Sequence, residues 1–175
     1  SAGAPASWGL RALARIIDFV LVSLPFTFLI AASGVRQVPR GPRAGEWTGP
    51  VWVLLLFPLG FMAYETVLVS RTGQTLGKWI CMVKVVDWQT GDLPTVSQAL
   101  TRAVVPGVFL LAGSAAPLVG VPVLGYLQYV PVLIYLTALA DPVYRGVHDR
   151  AATTIVLSSP RPFRRSRPGI GGLDA

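Results

Sequence analysis

Eight side chains sit where long apolar runs begin, end or are interrupted, and their types could do chemistry: Arg11, Arg15, Asp18, Glu65, Asp141, Arg145, His148 and Asp149. Arg11 and Arg15 are four residues apart and Arg15 and Asp18 three, so on a helix they share a face. A charge within a membrane helix costs about 2.5–3.5 kcal/mol at its centre on insertion scales, and it persists where it is paired or has a task. Two tasks suit this set. In one, Asp18 and Glu65 bind or exchange a cation or proton while an arginine tunes them. In the other, Arg11 and Arg15 neutralise Asp18 and Asp149, and the pairs clamp helix registry near the interface, where Arg can snorkel. His148 has the side chain that titrates nearest neutral pH, although a lone histidine is more often a hydrogen-bonded bystander.

Other chemistries lack their residues. Cys81 is the only cysteine and His148 the only histidine, so no intrachain disulfide, metal site or cofactor is expected. No Ser/His/Asp triad or dinucleotide fingerprint occurs. Gly73-Gln74-Thr75-Leu76-Gly77-Lys78-Trp79 falls short of a phosphate loop, which needs four residues between its glycines and Ser or Thr after the lysine. The chain is expected not to be an enzyme.

The elements that position these side chains follow from hydropathy. The 175 residues are 53% hydrophobic and 13% charged, against about 25% charged in soluble domains, and mean hydropathy is +0.59. Such a chain belongs in lipid. Apolar runs predict spans over about 10–32 and 50–70, the second interrupted by Pro58, Gly60 and Glu65. No charge occurs between Arg102 and Asp141. A single helix there would be about 57 Å long, about twice the hydrocarbon thickness, so Pro117–Pro122 is read as a turn between spans at 103–119 and 123–140. Between the second and third spans, Gly73–Met82 reads as an amphipathic stretch on the membrane surface. Val83–Asp87 reads as a strand into a turn, and Thr95 or Ser97 as a helix N-cap. The expected fold is an all-α membrane protein, a bundle of four transmembrane helices with a cytoplasmic amphipathic and hairpin loop. One domain covers 8–157, and a basic disordered tail covers 158–175.

Four spans put Arg36, Arg40 and Arg43 on one side and the other twelve Lys/Arg on the side of both termini, which the positive-inside rule makes cytoplasmic. The excess of basic residues therefore reflects topology, and no nucleic-acid partner is expected. Arg161, Arg164, Arg165 and Arg167 in the tail would face anionic lipid headgroups at the bilayer surface.

Three blocks of sequence resemble one family. Arg11-Ala12-Leu13-Ala14-Arg15-Ile16-Ile17-Asp18 looks like the opening of RDD proteins, small integral membrane proteins of bacteria. Tyr64-Glu65, Gly73–Lys78 and Val83–Asp87 are similar to their central block, and Arg145-Gly146-Val147-His148-Asp149-Arg150 to their closing motif. The resemblance covers residues 8 to 157. It implies that the family's Arg and two Asp are Arg11 or Arg15, Asp18 and Asp149, and that the protein lies in the bacterial inner membrane. Thr153 departs from the family, which usually has Gly there, so the backbone after Asp149 is a point to inspect. Small size and the lack of a catalytic set suggest an accessory or scaffolding subunit of a larger transport assembly, with other membrane proteins as partners. The alternative is a small cation–proton exchanger that works as a homo-oligomer, with Asp18 and Glu65 as carriers.

Overall fold

Ser7 opens the first helix: its hydroxyl accepts the Leu10 N–H, and α1 runs Trp8–Ser33 until Gly34, at φ +75°, turns the chain. The computed structural model describes residues 4–159. Beyond α1 a small antiparallel pair, β1 (Arg36–Gln37) and β2 (Trp47–Thr48), caps the far end of the bundle. The chain returns through a 3-10 segment, Val51–Leu55, into α2 (Leu56–Thr72). Pro58 explains the tight entry, since it lacks an N–H and its ring crowds the carbonyl four residues back.

Gly73, at φ +74°, ends α2, and a Cβ there would stand 2.7 Å from the Val85 carbonyl oxygen. Thr75 then caps the short α3 (Leu76–Ile80), which leads into β3 (Val83–Asp87). A capping box between Thr95 and Gln98 starts α4 at Val96, and it continues to Val119. This helix begins seven residues before the expected third span, which places Arg102 inside it. Its buried positions, Ala99, Arg102, Ala103, Pro106, Gly107, Gly113 and Ala116, form one face of small residues around the arginine. Small residues let membrane helices approach closely.

The fourth rod, Pro122–Ala140, is a 3-10 segment to Tyr129, then α5 (Val130–Leu136), then a final 3-10 turn. Pro131 accounts for the change of type at Val130, as Pro58 does earlier. A Cβ at Gly113 would lie 2.7 Å from the Gln128 backbone nitrogen, so this rod packs directly on α4. After it, α6 (Val147–Ala151) leads to β4 (Thr154–Ser158), which pairs antiparallel with β3, Val83 opposite Ser158 and Asp87 opposite Thr154.

The expected loop hairpin is therefore corrected. The Asp87 carboxylate accepts the Gln89 and Thr90 N–H groups and turns the chain toward Thr95, and β3 finds its partner at the end of the sequence instead. The strand runs through Ser158, which was assigned to the tail; Arg161, Arg164, Arg165 and Arg167 lie outside the described residues. Residues Ala4–Ala6 add a further edge, with Ala6 N–H donating to the Val156 carbonyl and Ser158 N–H to the Ala4 carbonyl. A compact apolar cluster of Ala6, Ala14, Val69, Cys81, Val83, Val85, Ala99 and Val156 lies where this sheet meets the helices.

Four rods, Trp8–Ser33, Val51–Thr72, Val96–Val119 and Pro122–Ala140, are long and apolar enough to cross a membrane. Their large side chains point outward, Phe28 being 74% and Leu133 63% exposed. A soluble bundle would bury these residues; here the outer surface is the apolar one. The protein is a four-span, mostly helical membrane protein.

Candidate functional site

Three acids converge where the start of α1, the end of α2 and the start of α4 meet α3 and α6. Glu65 is 1% exposed. Arg15 grips it with both terminal nitrogens, at 2.5 and 2.6 Å, Lys78 Nζ stands 3.3 Å from Oε1, and Arg102 Nε 3.4 Å from the same oxygen. The Arg15 guanidinium also lies 4.9 Å above the Tyr135 ring. One carboxylate thus draws cations from three separate elements.

Arg102 carries the network onward. Its Nη1 pairs with Asp149 Oδ1 and donates to Thr154 Oγ1 at 3.2 Å, which ties α4 to both α6 and β4. Asp149 Oδ2 accepts the Gly146 N–H at 3.2 Å and has Arg11 at 3.7 Å. Arg11 serves mainly as a staple. Its guanidinium donates to the carbonyls of Ala6, Val143, Tyr144 and Val156, joining α1 to the edge segment, the α6 approach and β4.

Asp18 is fully buried and is held by neutral donors. Tyr64 Oη donates to Oδ1 at 2.8 Å, Thr75 Oγ1 to Oδ2 at 2.5 Å and the Gly77 N–H to Oδ1 at 2.8 Å. Among the described residues no Lys or Arg forms an ion pair with it, so the expected neutralisation of Asp18 by Arg11 or Arg15 is corrected. Arg15 turns to Glu65 because the Asp18 carboxylate is already occupied by α3. Gly77 permits this docking; a Cβ there would run into the Ala14 carbonyl and the Asp18 carboxylate.

Four cations, Lys78 and Arg102 buried and Arg11 and Arg15 partly so, meet three acids. Desolvation, then the proximity of Arg15, pushes the Lys78 ammonium down to about 7. Loss of that proton balances the set. A cavity of about 200 Å³ adjoins it, lined by Arg11, Arg15, Lys78, Arg102, Tyr135 and His148 among others. His148 is 3% exposed, and desolvation with Arg102 and Arg15 nearby holds it well below the usual histidine range. Of the two readings of His148, titration near neutral pH is the one this environment disfavours.

Asp141 and Arg145 stand apart. Asp141 pairs with Arg150 at 2.6 Å and accepts the Val143 N–H at 2.9 Å. Desolvation opposes its ionisation, but those partners hold it below the ordinary carboxylate range. Arg145 stacks 4.1 Å over the Trp88 ring and reaches Asp141 at 4.0 Å. No ion pair among the described residues joins either one to Glu65, Asp18 or Asp149. No group of three or more His, Cys, Asp or Glu among the described residues could hold a metal ion.

A family model for the RDD family matches residues 5–153. The chain belongs to the RDD family. No curated protein and no solved structure matches it. In this RDD protein, Arg11 and Asp149 approach each other, while Asp18 sits with α3. Sequence reasoning missed Tyr64, Thr75, Gly77, Lys78 and Arg102. Lys78 was placed in a surface stretch, but α3 is turned the other way: Leu76, Trp79 and Ile80 are about half exposed and Lys78 only 3%. At a lipid interface the apolar face of a short helix belongs outside, and that rule points Lys78 inward. Arg102 was legible through the Thr95–Gln98 capping box, which starts a helix early enough to include it.

Proposed function

We propose that this RDD protein is an accessory, non-enzymatic subunit that scaffolds a larger membrane transport assembly. The observation that carries the reading is the internal saturation of its acids. Glu65 is taken up by Arg15, Lys78 and Arg102, Asp149 by Arg102 and Arg11, and Asp18 by Tyr64, Thr75 and Gly77. Groups so occupied fix the registry of helices, and each acid already has its partners within the chain. A rigid core with broad apolar outer faces suits a protein whose neighbours are the bilayer and other membrane subunits. The placement of twelve Lys/Arg with the termini supports a bacterial inner-membrane location with both termini cytoplasmic. The test is extraction from native membranes in mild detergent. Other membrane proteins in fixed ratio are expected; recovery of this chain alone overturns the assignment.

One observation favours the exchanger alternative, a homo-oligomer that couples cation and proton movement. Lys78 is buried beside a cavity with its ammonium near the point of neutrality. On this reading Asp18 and Glu65 are the carriers, as read from the sequence, and Lys78, 3.3 Å from Glu65, takes up and releases the proton. Lys78→Met and Asp18→Asn then each abolish exchange in proteoliposomes; full exchange in both variants rejects it.

A further inference from the structure

The half of the bundle opposite the charged set contains a second and larger cavity, about 1000 Å³. One wall is a single face of α1, Phe19, Ser23, Phe26, Thr27 and Ile30, at spacings of three and four residues. The facing wall is built from α4 and the fourth rod, including Ser114 and Gln128. Gln37 and Glu46, from the β1–β2 connection, line its outer end.

The lining is mixed, mostly apolar but with Ser23, Thr27, Gln37, Glu46, Ser114 and Gln128 set into it. Neither the Gln128 carboxamide nor the Ser114 hydroxyl has a hydrogen-bond partner among the described residues, and both border the cavity. Ser23 and Thr27 donate to carbonyls of their own helix, at Val20 and Ser23, which leaves their oxygen lone pairs turned outward. Gln128 lies six residues into its rod, about 12 Å deep at the 3-10 rise, and Ser23 about 15 Å below the end of α1. A carboxamide at that depth facing lipid tails is expensive, because hydrocarbon offers it no partner. Polar backbone and side chains persist at membrane depth where they line water. Glu46 at the outer end is an exposed acidic side chain, at home in water and not in hydrocarbon.

Aromatic rings close the inner end. Phe57 packs edge-on against Phe19 at 5.4 Å and against Phe26 at 5.9 Å, Phe61 follows Phe57 at 6.1 Å, and Tyr64 follows Phe61 at 6.3 Å. Tyr64 in turn donates to Asp18. Phe19 lies about 21 Å below the end of α1, and the residue before it in the chain is that buried acid.

We propose that this cavity is a water-filled half-channel, open on the side of the β1–β2 connection and closed by Phe19, Phe57 and Phe61 in front of Asp18. It admits water and small hydrophilic ions and excludes acyl chains. It rests on neither functional reading above, and either would use it: an accessory subunit as a lining of a shared path, an exchanger as outer access to its acid.

The lone native thiol makes the test direct. In a Cys81→Ala background, Ser23→Cys, Ser114→Cys and Gln128→Cys are reconstituted in lipid vesicles and treated with a charged, membrane-impermeant thiosulfonate. Leu24→Cys, about 13.5 Å below the end of α1 and on its exposed face at 52%, is the control, and circular dichroism checks that each variant stays helical. Thiolate is the reacting species and does not form in hydrocarbon. The three cavity positions are expected to label roughly tenfold or more faster than position 24. Labelling of none, or of all four alike, overturns the proposal: the first means a lipid-filled cleft, the second no distinction between the cavity and the lipid face.

Discussion

The Gly77 N–H donates to Asp18 Oδ1 across 2.8 Å, and the two residues come so close that a methyl group on Gly77 would overlap the Ala14 carbonyl. The contact docks α3 on α1 and saturates Asp18 in one step. The obstructing atom is backbone, which cannot swing aside. Gly77→Ala is therefore expected to cost about 3 kcal/mol, the upper range for overpacking. Gly9→Ala, with nothing within 4 Å of its added carbon, is expected to be close to neutral. Thermal unfolding of the two variants in one detergent checks the pair, and equal midpoints would contradict the docking geometry.

Glu65 holds three cations, so its removal leaves them facing one another without water. Glu65→Gln is expected to cost about 3–5 kcal/mol, the range for breaking a buried ion pair from one side. Arg150, whose side chain is 54% exposed, pairs with Asp141 at the rim. Arg150→Ala should change stability by about 0–1 kcal/mol. Denaturant midpoints for both variants provide the comparison. A loss at position 150 as large as that at 65 would mean the central network has no special weight.

The helices and the main acids were legible because hydropathy is a one-dimensional signal. Spans at 10–32, 50–70 and 123–140 required only a count of apolar residues. The partners of the acids were not, because they depend on which way α3 faces and on where α4 starts. Lys78 beside Trp79 and Ile80 reads as a surface charge when Gly73–Met82 is taken as one stretch, but the apolar face of α3 is the outer one and Lys78 points inward. The pairing of β3 with β4 spans about seventy residues, and strand patterns so short do not announce a partner at that distance.

His148 should make stability depend on pH. Its folded form holds the proton less readily than the unfolded chain, whose value is about 6.5. As pH falls below that point the unfolded state takes up a proton and the folded state does not, so stability is full above it and declines below. The melting temperature is expected to fall from pH 7.5 to 5.5, and His148→Asn should flatten that slope. An unchanged slope in the variant would assign the effect to other groups.

Thr153 occupies a left-handed backbone position, φ +54°, between α6 and β4. A side chain there costs about 1–2 kcal/mol, and a glycine avoids this while giving up some order in the unfolded chain. Thr153→Gly is expected to raise stability by about 1 kcal/mol. A lower melting temperature would show that the threonine side chain contributes contacts that outweigh its backbone.

Ala6 and Val156 are bonded through their main chains, and Arg102 and Arg11 receive the carboxylate of Asp149. Both closures wait for the last part of the domain to leave the ribosome. Until then the four rods can enter the bilayer, but Arg102 has Glu65 as its one acidic partner, Arg11 has none, and β3 lacks a neighbour. A chain halted before Asp149 therefore leaves the β3 edge unpaired and Arg11 without its carboxylate. Pairing of β4 with β3 is thus the contact that ties the end of the charged core back to its beginning.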